Sequence, residues 1–185
     1  MLKEYVQKDI HIINVIDPMV ALINNNFPEK KIGLIGTKRT VESGVYAQKI
    51  KELHKDITLQ SLPTPLLVPM IEEGFFNNQI SHEIIAKYLS DDALQNIEAL
   101  ILACTHYPLI KKEISAFYSN KLAILDSSEV VAQTLKNYLQ QNNLLNNEVN
   151  VTRQFFVSDY TKSFEASTRI FFQEMVNLEE HPLWN

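Results

Sequence analysis

Residues 99–109 read ALILACTHYPL and hold the only cysteine of the 185-residue chain, Cys104, followed directly by Thr105 and His106. These three types at this spacing suit proton transfer. A thiol can donate or, as thiolate, accept a proton, and an imidazole two residues away can act as acid or base or hold the thiol's charge. Thr105 offers a hydroxyl and a backbone N–H to an anion. A thiol close to a helix N-terminus is expected to have its pKa lowered by the helix dipole. The other reading stays open at this stage, because a cysteine ending a buried strand also serves as inert packing.

The elements that must position these groups follow from the pattern around them. The apolar run 99–103 followed by the amphipathic run 109–118 predicts a buried strand feeding a helix, with Pro108 in the helix's first turn. Cys104, Thr105 and His106 are then expected at the carboxyl end of a central strand, where open α/β sheets bind ligands. Upstream, residues 11–16 (HIINVI) predict a short strand. Asp17 as N-cap and Pro18 at the first helical position open a helix with Met19, Val20, Leu22 and Ile23 inward. Residues 31–36 (KIGLIG) predict a strand, and 41–53 a helix with Val45, Ile50 and Leu53 inward. Thr37 or Thr40 can cap that helix, the commoner role, or hold a small anion.

Residues 57–62 predict a third strand. Pro63, Pro65 and Pro69 then make a loop before a short helix at about 67–73. Glu72 and Glu73 end that helix; one reads as a solvated helix end and the other can polarise a histidine. A helix is expected over 77–89, a strand over 121–125, and a helix over 129–139 capped from Asp126, Ser127 and Ser128. A polar link at 140–147 leads to a β-rich run at 150–157 and a last helix at 161–176, with Trp184 packing back. Strands alternating with helices argue an α/β fold with a doubly wound, mostly parallel sheet.

Composition narrows the function classes. The net charge is −5 and basic residues are scattered, which gives no electrostatic case for nucleic acid. One cysteine excludes an internal disulfide, provides no metal framework and suits a reducing cytoplasm. No apolar stretch reaches 18 residues, so no membrane span is expected. Only four glycines are present. Gly33 and Gly36 lie close, but no third glycine or Gly-Lys-Ser/Thr follows, which argues against dinucleotide-binding and P-loop motifs.

Six motifs in order give the chain a resemblance to bacterial glutamate racemase, of the aspartate/glutamate racemase superfamily. They are V-I-D-P at Val15, Ile16, Asp17 and Pro18; G-T-x-x-T-x-x-S-x-x-Y at Gly36, Thr37, Thr40, Ser43 and Tyr46; L-V-P-M-I-E-E at 67–73; A-C-T-H-Y-P-L at 103–109; D-S-S-E at 126–129; and V-S-D-Y-T at 157–161. The resemblance implies two thiols flanking the α-carbon of glutamate, one removing the α-proton and the other protonating the opposite face, with no cofactor and no metal. Cys104 matches the second of these thiols. It implies substrate contacts for Thr105 and His106, a supporting acid for His106 in Glu72, and Thr37 and Thr40 lining the cleft.

The family pattern also has an earlier segment with the first cysteine, which does not occur in these residues. The resemblance therefore predicts an incomplete copy: residues 1–16 as the remnant of a first domain, 17–125 as a complete second α/β domain, and 126–185 returning to the first, pseudo-symmetric domain. It implies little or no racemisation by this chain alone, exposed apolar faces on the last helices, and a homodimer. The whole enzyme would be cytoplasmic, act on glutamate and supply D-glutamate to peptidoglycan. Two alternatives remain: a single-cysteine decarboxylase or isomerase of small diacids within the superfamily, and a non-catalytic remnant that associates with a full-length racemase.

Overall fold

The computed structural model describes residues 10–183 apart from 54, 147, 149 and 150; Trp184 lies outside the described residues. The first compact unit, Met1–Leu144, is built on a parallel sheet. Its elements are α1 (Asp17–Asn26), β1 (Lys31–Gly36), α2 (Lys38–Glu42), α3 (Val45–Lys51), β2 (Thr58–Pro63), α4 (Leu67–Glu72), α5 (Gln79–Leu89), β3 (Ala99–Ala103), α6 (Lys111–Phe117), β4 (Ala123–Asp126) and α7 (Ser127–Gln141). Strand order is β2-β1-β3-β4, every pair parallel, with Gly36 in register with Ala103 at the carboxyl edge.

Strands β1 and β3 lie in the middle and are buried on both faces, which is why each reads as an unbroken apolar run. Side chains alternate between two cores. Ile35, Leu100 and Leu102 pack with Leu67, Met70 and Ile71 of α4, Ile85 and Leu89 of α5, and Ile110 and Ile114. Ile32, Leu34, Ala99 and Ile101 pack with Met19, Val20 and Ile23 of α1 and with Tyr46 and Ile50 of α3. Helices therefore cover both faces, and the expected doubly wound α/β sheet is what forms. Among the described residues no helix is long and apolar enough to cross a membrane.

Several local expectations are corrected. Residues 11–16 form no strand. The Asn14 side chain accepts the Ile16 and Asp17 amides at 2.9 and 2.8 Å, a local turn that competes with extended pairing and starts α1. Asp17 is thus not the cap; it lies in the first turn and pairs with Lys49 at 2.6 Å. The helix expected over 41–53 is two helices, because Gly44 takes a left-handed conformation (φ 67°) between them. The helix expected after Pro108 begins as a 3-10 turn, Tyr107–Ile110, before α6. In the helix expected over 77–89, Ile80 is 56% exposed, whereas Ser81 is buried and closes a capping box with Asn78.

Helix α7 packs against α1, β3 and β4. The second compact unit, Leu145–Asn185, holds β5 (Phe155–Val157), α8 (Lys162–Phe172) and β6 (Leu178–Glu180). Strands β5 and β6 pair in parallel, and β6 was not legible in the sequence. Thr161 caps α8, Gln173 ends it at φ 57°, and Phe155 meets Phe172 edge-on at 5.1 Å. Phe164 and Phe172 of α8 are 50% and 47% exposed.

One buried group in the first unit is poorly satisfied. The Tyr118 hydroxyl finds no hydrogen-bond partner among the described residues, and burial pushes its phenol up to about 12. An unpaired buried hydroxyl costs free energy that a phenylalanine would not. Tyr118→Phe is therefore expected to stabilise the protein by about 1 kcal/mol, read as a rise of roughly 2–4 °C in Tm. A fall in Tm would mean that the hydroxyl is paired.

Candidate active site

The chain runs from β1 to β2 on one side and, after crossing back, to β3 on the other side of β1. The helices that follow β1 and β3 lie on opposite faces, so the loops leaving these neighbouring strands diverge and leave a crevice between them. Thr37 leaves Gly36 on one lip and Cys104 leaves Ala103 on the other. The cleft there has a volume of about 370 Å³, with Thr37, Arg39, Thr40, Cys104, Thr105 and Ser127 among its lining. A larger hollow of about 570 Å³ lies beside Lys55 and Thr58, at the amino end of β2, whereas open α/β sheets bind their ligands outside the carboxyl ends of the strands. The chemistry therefore belongs to the smaller cleft.

On the first lip, Thr37 is the cap of α2. Its hydroxyl accepts the Thr40 amide at 3.3 Å and meets the Thr40 hydroxyl at 2.9 Å, so the two form one linked pair facing the cleft. On the second lip, Cys104 Sγ lies 3.8 Å from His106 Nδ1, and the Thr105 hydroxyl is 3.5 Å from the same nitrogen. His106 Nε2 lies 3.0 Å from Glu72 Oε1 at the end of α4. Glu72 is the half-exposed member of this pair and His106 the more buried one.

The electrostatics overturn one expectation. The Cys104 thiol is pushed up from its ordinary value, chiefly by burial. The backbone amides of His106 and Tyr107 pull the other way, while the Glu72 carboxylate pushes it further up. Short 3-10 geometry after the cysteine gives little aligned dipole, and desolvation of the thiolate wins. The resting group is thus a neutral thiol that needs a base to ionise. With Nε2–H donated to Glu72, the hydrogen-bond pattern assigns His106 the tautomer whose Nδ1 is an acceptor, on the side where Cys104 Sγ and the Thr105 hydroxyl lie.

The structure brings Cys104, Thr105, Thr37 and Thr40 to one cleft and joins His106 to Cys104 on one side and to Glu72 on the other. Sequence reasoning missed Arg39 and Ser127 in the lining. Ser127 starts α7 after β4, the strand beside β3, and its hydroxyl donates to Leu102 O at 3.3 Å. Its position after a strand that neighbours β3 was the available signal.

Residues 4–135 match the family model described as Asp/Glu/Hydantoin racemase. The chain belongs to this family. It is 38% identical over 174 residues to a glutamate racemase of Persephonella marina, covering 93% of this chain and 64% of that protein. A glutamate racemase from Francisella tularensis, crystallised in complex with D-glutamate, matches with a TM-score of 0.85 at 33% identity, over 99% of this chain and 67% of that one. The Thermus thermophilus glutamate racemase, in complex with beta-chloro-D-alanine, matches with a TM-score of 0.83 at 31% identity, over 98% and 66%. The chain thus spans about two thirds of the length of these family members.

Proposed function

We propose that this chain carries one side of a glutamate racemase site, with Cys104 as the thiol that exchanges a proton with the α-carbon of glutamate. The observation that carries the reading is the Cys104–His106–Glu72 chain at the β1/β3 crevice, faced by the hydroxyls of Thr37 and Thr40. Glu72 holds His106 so that Nδ1 faces the sulfur and takes the thiol proton; the thiolate then takes the α-proton. The C–H bond breaks, an S–H bond forms, and the electron pair spreads into the α-carboxylate. Hydroxyls of Thr37, Thr40 and Thr105 suit that carboxylate. In the other direction the raised thiol pKa keeps Cys104 protonated and ready to donate.

Inversion needs a second acid on the opposite face, and Cys104 is the only thiol of these residues. On this reading the partner thiol is supplied by residues outside this sequence. The same reading covers the division at 16/17 and 125/126, a homodimer, a cytoplasmic location and supply of D-glutamate for peptidoglycan.

Two measurements test it. L- or D-glutamate is expected to slow alkylation of Cys104, with glutamine protecting less. In D₂O, one enantiomer is expected to lose its α-proton signal with retained optical rotation, since a single thiol returns deuterium to the face it emptied. Absence of both protection and exchange would sink the proposal. Decarboxylation of a diacid, with no exchange of glutamate, would favour the single-cysteine alternative instead.

A further inference from the structure

Beneath the cleft, the carboxyl ends of β1, β2 and β3 are joined by one buried knot. Thr64, fully buried, sits one residue past β2. Its amide donates to Gly36 O at 2.9 Å and its hydroxyl to the same carbonyl at 3.2 Å. The Tyr107 hydroxyl, also fully buried, meets the Thr64 hydroxyl at 2.6 Å and lies 3.3 Å from Thr64 O. One assignment uses every proton once: Tyr107 O–H donates to Thr64 Oγ1, and Thr64 O–H donates to Gly36 O. Such a chain is cooperative in a low dielectric, and each hydroxyl would be costly there without the other.

Each member belongs to a segment that carries a cleft group. Gly36 immediately precedes Thr37. Thr64 stands just before α4, which ends at Glu72. Tyr107 follows His106 directly, and its amide donates to Cys104 O at 3.2 Å. Two hydroxyls, 43 positions apart in the chain, thus tie the three segments whose side chains must meet.

We propose that Thr64 and Tyr107 are positioning residues whose hydrogen-bonded pair holds the Cys104–His106 turn in register with Glu72 and Thr37, and so sets the reactivity of the Cys104 thiol. The catalytic meaning rests on the proposed function; the thiol chemistry does not. The His106 and Tyr107 amides favour the thiolate, and the knot fixes the turn that carries them.

Because Cys104 is the only cysteine, the pH profile of alkylation by iodoacetamide reads this one group in the whole chain. Tyr107→Phe keeps the ring and removes the hydroxyl. Its midpoint is expected to move up by about half a pH unit or more, roughly three-fold slower reaction at a fixed pH below the midpoint, because the thiolate loses aligned amides while burial remains. Thr64→Val is expected to do the same, the double variant no more than either single, and Thr64→Ser to retain the wild-type profile. The proposal is overturned if Tyr107→Phe lowers Tm but leaves the profile unchanged, if the midpoint moves down, or if Thr64→Ser shifts it as a hydroxyl-free variant does. Should Thr64→Val fail to fold, Tyr107→Phe and Thr64→Ser decide the matter. Glutamate protection of wild-type Cys104 is measured alongside: a shifted profile without protection would retain the knot's role and discard the racemase reading.

Discussion

Cys104→Ala is expected to abolish exchange of the glutamate α-proton, by about 10³-fold or more, while leaving the fold intact. The size follows from what else faces the cleft. Threonine and serine hydroxyls are far too weak as acids to replace a thiol, a guanidinium is a weaker acid than a thiol, and burial pushes the Tyr46 phenol up from its ordinary value. His106 is held at Nε2 by Glu72, and its Nδ1 faces the sulfur, so it is placed to serve the thiol. Serine in place of Cys104 keeps the shape but not the acidity and is expected to be as inactive. Glu72→Gln is the informative contrast. It leaves a hydrogen-bond partner for His106 but no charge to stabilise the imidazolium, so a smaller loss, about ten-fold, is expected. The measurement is the decay of the α-proton signal in D₂O, with circular dichroism to establish folding. Near-normal exchange by Cys104→Ala would remove Cys104 from the chemistry.

The central strands were legible because burial on both faces leaves a continuous apolar run: β1 was expected at 31–36 and β3 at 99–103, and both form there. Edge strands carry a weaker signal, so β2 and β4 are displaced by one or two residues from their expected bounds. The run at 11–16 looked similar, but Asn14 offered the backbone a turn. The strand-end position of Cys104, Thr105 and His106 followed from pattern alone, whereas the meeting of His106 with Glu72 rested on family likeness. No spacing rule links residues 34 positions apart. The acidity of the thiol was misjudged for a physical reason: a sequence shows the nearby helix, but not the desolvation that outweighs it. The Thr64–Tyr107 pair was invisible in the same way, since a buried hydroxyl pair has no local signature.

Ile101→Ala is expected to cost about 2–5 kcal/mol and to lower Tm by roughly 5–15 °C. Ile101 is fully buried in the middle of β3, in register with Leu34 on one side and Leu125 on the other, and it packs in the core formed with α1 and α3. Alanine there leaves a cavity between a central strand and the helices on that face, and neither can move without giving up its other contacts. A loss of this size is a large fraction of the total stability of a domain. It also reaches the site, because Cys104 lies three residues on, one past the end of the same strand. Alkylation of Cys104 at a fixed pH should therefore speed up in Ile101→Ala, as the strand opens more often. Phe75→Ala supplies the comparison: Phe75 is 52% exposed, and its loss is expected to change stability by no more than about 0.5 kcal/mol with the thiol unaffected. A cost below about 1 kcal/mol for Ile101→Ala would mean that β3 is not the buried centre of the sheet, and the argument that places Cys104 at the crevice would fall with it.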